Sequence, residues 1–101
     1  MHKAPHPDEI IIYRRQYPVS YKEAKWALGK GFKYPVMMNY DEAAKAYHVL
    51  KGEFGSVRGL AEVHPKTPLH RKNGQWILSL DKRTAVWFRD EGIATYVKLM
   101  I

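Results

Sequence analysis

No cysteine occurs in the 101 residues, which excludes a disulfide framework, a thiolate nucleophile and any cysteine-ligated metal site. No apolar run approaches the roughly 20 residues that a membrane span needs. The opening Met1-His2-Lys3-Ala4-Pro5-His6-Pro7-Asp8-Glu9 has no apolar core of the kind a secretory leader carries. A cytoplasmic protein without membrane partners is the expectation. Phosphate-binding glycine motifs are missing too: there is no Gly-x-Gly-x-x-Gly and no P-loop. Gly29-Lys30-Gly31 ends a helical pattern rather than beginning one, so it offers no helix N-terminus to an anion. No small-molecule cofactor and no catalytic or metal-ligating set is expected. Acidic residues are few, ten against seventeen Lys and Arg, for a net charge of +7.

What is present is the composition of a folded chain. An apolar share of 46% and an aromatic share of 13% suffice for one modest core in one domain. The charge is unevenly spread. Residues 1–38 carry seven basic against three acidic side chains, residues 39–56 two against three, and residues 57–101 eight against four. Positive charge at both ends of the chain suits a polyanionic partner: DNA, RNA, or an acidic surface of a host protein.

The pattern predicts an α+β fold, with a flexible N-terminal arm over 1–9 and a single domain over 10–101. Ile10-Ile11-Ile12-Tyr13 reads as a short strand. Ser20 three residues before Glu23, and Asn39 three before Glu42, are capping boxes that open two helices. Gly29 or Gly31 is placed to stop the first, and Gly52 to stop the second. These two helices are expected to pair as an α-hairpin. Tyr17-Pro18-Val19 and Tyr34-Pro35-Val36 precede them as a good way into a capped helix, used twice. Asn73-Gly74, between two β-prone runs, is the dipeptide of a two-residue hairpin. A further run over 84–89, and a weaker one over 60–63, complete an antiparallel meander of three to four strands. Ile93, Tyr96, Val97, Met100 and Ile101 then mark one face of a C-terminal helix, opened by Asp90-Glu91. The α-hairpin and that helix are expected to pack on the meander.

The residues that could carry function are cationic. Lys66, His70, Arg71 and Lys72 surround the Asn-Gly turn, Lys82 and Arg83 mark the next turn, and Arg14-Arg15 end the first apolar run. Arg and Lys at hairpin tips grip phosphates. Trp76 or Trp87, if exposed, would stack on bases, although both read more naturally as core. His48, His64 and His70 match no metal-ligand spacing, and a nuclease built on His64, His70 and Lys66 is a remote reading. A helix-turn-helix is disfavoured, because the connection between the two capped helices exceeds its 3–4-residue turn. The α-β-β-β-α order over 39–101 is similar to that of double-stranded RNA-binding domains, but Asp90-Glu91 would repel phosphate where that fold needs a basic helix start.

Two functions remain. One is a small basic nucleic-acid-binding regulatory protein that contacts phosphates through Arg14, Arg15, Lys66, His70, Arg71, Lys72, Lys82 and Arg83. The other is a non-enzymatic inhibitor or adaptor, of the kind a phage or mobile element encodes, that binds an acidic surface of a host protein.

Overall fold

A computed structural model describes residues 4–57, 59–64 and 83–101, together with the backbone of 70–72 and 75–77. The elements run α1 (Pro7–Gln16), α2 (Tyr21–Gly29), β1 (Tyr34–Met38), α3 (Tyr40–Phe54), β2 (Ala61–Glu62), β3 (His70–Lys72), β4 (Gln75–Ile77), β5 (Thr84–Phe88) and α4 (Glu91–Met100). The fold is α+β, as the pattern predicts.

The first element departs from expectation. Ile10-Ile11-Ile12-Tyr13 lies inside a helix, and Pro7, Asp8 and Glu9, expected in the arm, form its first turn. His6 caps it, its Nδ1 accepting from the Asp8 amide at 3.2 Å. Proline opens the helix, acids occupy its first turn and Arg14-Arg15 its last, each suited to the helix dipole. Three isoleucines prefer strands in isolation, but only Ile10 is buried while Ile11 and Ile12 face outward. A helix needs one apolar face, and Ile10 with Tyr13 supplies it.

Ser20 opens α2 as expected, its Oγ accepting from the Glu23 amide at 3.2 Å. At the other end Gly31, with φ of 85°, provides the left-handed residue. The Phe32 amide donates to the Ala27 carbonyl at 2.8 Å and the Gly31 amide to Leu28 at 3.1 Å. That is a Schellman stop, which brings the residue after the glycine back onto the last turn. Phe32 accordingly lies against Trp26, ring centroids 6.0 Å apart and nearly parallel.

The central element is β5. It pairs antiparallel with β1 on one side, Val36 opposite Val86, and with β2 on the other, Ala61 opposite Phe88. Both faces of a middle strand are covered, which is why Ala85, Val86, Trp87 and Phe88 are consecutive and all buried. Val86 and Phe88 join Val36, Met38 and residues of α3 and α4 in one core. Ala85 and Trp87 face the opposite way, into a second core with Ala27, Phe32, Tyr13 and Trp26. The sheet therefore separates a layer of α1 and α2 from a layer of α3 and α4.

This topology replaces the expected meander. The hairpin is present, β3 paired with β4 and Arg71 opposite Trp76. However, it forms a separate two-stranded sheet beside α3, and among the described residues β5 turns to β1 and β2 instead. The α-hairpin is α1 with α2, not α2 with α3. Of the two Tyr-Pro-Val stretches, the first leads from α1 into the capped α2 as expected, whereas the second forms strand β1 ahead of α3.

In α3 the capping box is complete. The Glu42 amide donates to Asn39 Oδ1 and the Asn39 amide to Glu42 Oε1, both at 3.0 Å. Gly55, not Gly52, takes the left-handed position at its end, and Phe54 is half exposed rather than packed. Asp90 caps α4, Oδ1 accepting from the Ile93 amide at 2.9 Å. Ala94 and Val97 carry its buried face, with Ile93 and Ile101 beside them. Tyr96 and Met100 point largely outward. Among the described residues no helix is long and apolar enough to cross a membrane.

Candidate nucleic-acid interface

Between Arg14 and Lys33 the chain holds six basic side chains and one carboxylate, Glu23. Folding places all six, Arg14, Arg15, Lys22, Lys25, Lys30 and Lys33, at the surface of the α1–α2 layer. Glu23 is expected to complete the Ser20 capping box, but its Oε2 accepts from Trp87 Nε1 at 2.8 Å instead. Its carboxylate is thus committed to the sheet. The α3 and α4 segments, residues 39–57 and 90–101, carry three basic against five acidic side chains. With Asp8 and Glu9 of α1 included, residues 4–33 carry six basic against three acidic side chains, so the sheet divides a cationic layer from a weakly anionic one.

Within the cationic layer a cleft of about 400 Å³ opens beside α2, lined by Ala4, Pro5, Lys22, Lys25, Trp26, Gly29 and Lys30. Lys22, Lys25, Trp26 and Gly29 recur at helical spacing and form the outer face of α2. Gly29 adds no side chain to the floor, and Pro5 Cδ packs against it, 3.7 Å from where a Cβ would be. The lining is almost wholly apolar carbon, and among the described residues that line it three are lysines and none is acidic. Trp26 is held on its inner side by Phe32 and at its edge by His64, whose ring is 5.0 Å away and perpendicular. The Arg89 guanidinium lies 4.4 Å over the Phe32 ring. A cation over a ring face is attracted by the quadrupole, so Arg89 is drawn into the same cluster from the end of β5.

Tyr13 fixes this layer to the sheet. Its hydroxyl donates to the Lys33 carbonyl and its ring stacks on Trp87, 5.8 Å between centroids. Burial, with the nearby Tyr17 and Tyr34 phenols, pushes its pKa far above the ordinary tyrosine value. It stays a neutral donor throughout the physiological range.

Of the eight cationic residues singled out in the sequence, Arg14, Arg15 and Arg83 are described with their side chains. Arg14 is exposed, but its Nε donates to the Val19 carbonyl at 3.1 Å, bracing the link into α2. Arg15 is exposed on α1. Arg83 does not stand free. Its Nε and Nη2 reach Glu42 Oε1 and Oε2 at 3.2 and 3.3 Å, in the α3 cap and away from α2. Lys66 and Lys82 lie outside the described residues, and of His70, Arg71, Lys72 and Trp76 only the backbone is described. Trp87 is fully buried, so it offers no base a platform. His64 rests against Trp26, and among the described residues no cluster of three or more His, Cys, Asp or Glu could hold a metal ion.

Sequence reasoning passed over Lys22, Lys25, Trp26, Lys30 and Arg89. The signal was there, as a period of three and four with basic and aromatic residues on one helix face.

Compared with known proteins, the chain matches no family model, no curated protein and no solved structure.

Proposed function

We propose that this protein is a small basic nucleic-acid-binding regulatory protein whose α1–α2 layer holds phosphates. One observation carries the reading: six surface cations between Arg14 and Lys33 share a single carboxylate, and that carboxylate is bonded to Trp87. Cations that no carboxylate among the described residues holds in an ion pair are available to an external polyanion, and releasing the counterions of that polyanion supplies the affinity. The hairpin residues Lys66, His70, Arg71, Lys72 and Lys82 would add contacts of the same chemistry. Arg83 would have to give up its ion pair with Glu42 to join them.

The test is anisotropy of a labelled oligonucleotide across a salt series. Binding at micromolar protein or tighter is expected in low salt, with log K falling linearly in log salt by a slope of about −3 to −5 for four to six phosphate contacts. No binding at low salt would end the proposal.

A second reading has its own support. Leu99 is 81% exposed, and Tyr96 and Met100 beside it on α4 are more than a third exposed. An apolar face of that kind favours a protein partner, as an inhibitor or adaptor would need. A partner captured from nuclease-treated lysate in stoichiometric amount, lost in Leu99→Lys, would favour this second reading.

A further inference from the structure

We infer that the cleft beside α2 is a base-stacking site, and that the preferred ligand is single-stranded rather than duplex nucleic acid. The inference rests on the nucleic-acid reading above and deepens it. Four observations lead to it. The cleft is shallow and open to solvent, and its volume of about 400 Å³ has room for one nucleobase laid against its wall. Its wall is Trp26, an aromatic ring already braced by Phe32 and His64, so little side-chain freedom is lost when a second ring stacks on it. Its floor is Gly29, the one position on that face without a side chain. Its rim is Lys22, Lys25 and Lys30, with no acid among the lining residues.

That combination is specific to an unpaired strand. Every base offers a π-face, and stacking on an aromatic side chain needs the base out of the duplex. The phosphates on either side of the stacked base then fall toward the lysines at the rim, where charge is complementary. A duplex presents its phosphates to the same lysines but cannot place a base against Trp26. An acidic peptide would satisfy the lysines and leave the apolar wall without a planar partner.

The test uses the full chain with a labelled oligonucleotide of about twelve residues, as single-stranded DNA, single-stranded RNA and duplex, at matched salt. Either single strand is expected to bind at least about tenfold tighter than duplex and to change the emission of Trp26 on saturation. Trp26→Ala should weaken single-strand binding by about tenfold or more and leave duplex binding nearly unchanged. Because Trp26 also packs on Phe32, Gly29→Leu is the second variant. A Cβ at 29 would stand in ordinary contact with Pro5 Cδ at 3.7 Å, so leucine there would take up the space between α2 and Pro5, and urea unfolding of the variant checks that the fold is kept. Gly29→Leu should abolish the single-strand preference with all lysines in place. Equal binding of single strand and duplex, unmoved by Gly29→Leu, would overturn the base site and leave phosphate binding standing. No binding of any oligonucleotide would overturn both.

Discussion

The indole Nε1 of Trp87, in the middle of the central strand, donates to the Glu23 carboxylate on α2 across 2.8 Å. Two consequences follow from one bond. A tryptophan whose ring is wholly buried finds a partner for its indole donor, and an oxygen of the one carboxylate between Arg14 and Lys33 is turned to the sheet rather than to a lysine. Glu23→Ala leaves the indole N–H unsatisfied and should cost about 1–3 kcal/mol. Glu23→Gln keeps an acceptor oxygen in place and should cost less than about 1 kcal/mol. Urea unfolding of the two variants measures the difference, and equal losses would show that the bond contributes nothing beyond helix propensity.

Tyr13 makes a prediction in pH. Its folded pKa lies above its ordinary value of 10.0 because burial disfavours the phenolate. The folded state therefore holds the proton more tightly than the unfolded chain does. The associated stability is fully present below the unfolded pKa and is lost as pH rises past it toward the folded value. Wild type should weaken progressively above about pH 10. Tyr13→Phe should be less stable at pH 8 by about 1 kcal/mol, having lost the bond to the Lys33 carbonyl. The gap between the two should narrow as pH increases beyond 10, and a gap that widens instead would contradict the assignment.

The helix signals were legible because they are local. Ser20, Asn39 and Asp90 cap the helices they were expected to cap, and Gly31 stops α2, since each depends only on residues within one turn. Ile10-Ile11-Ile12 misled because β-branched propensity is weaker than a start signal, and His6-Pro7-Asp8-Glu9 was one. The sheet order was not legible from turns. A meander assumes that neighbours in sequence pair in space, whereas β5 joins two strands that precede it by many residues. The consecutive Ala85-Val86-Trp87-Phe88 did carry the clue. A run without polar alternation is covered on both faces and belongs in the centre.

Gly31 tests the local origin of the Trp26 cluster. At φ of 85° a side chain is strained by about 1 kcal/mol or somewhat more, although a Cβ would meet only Arg89 Nη1, at 3.8 Å. Gly31→Ala should therefore destabilise by backbone strain alone, and Gly31→Asn by less, because asparagine tolerates the left-handed region. Thermal or urea unfolding separates the two. Equal loss in both would point to crowding against Arg89 rather than to the backbone.

Arg83 and the lysines of α2 provide the sharpest contrast, because both are exposed cations and only Arg83 has a carboxylate to hold. Glu42 grips it through two oxygens while also closing the α3 cap. The pair is partly solvated, so Arg83→Gln should cost no more than about 1 kcal/mol. Glu42→Ala loses the cap as well and should cost about 1–2 kcal/mol. Neither should move the salt slope of single-strand binding, since an ion already paired releases no counterion from the ligand. Lys22→Gln, Lys25→Gln and Lys30→Gln together should make the slope shallower by about 2. If Arg83→Gln alters the slope and the triple variant does not, phosphate contact lies at the α3 end of the sheet and the α2 face is only a solvated surface.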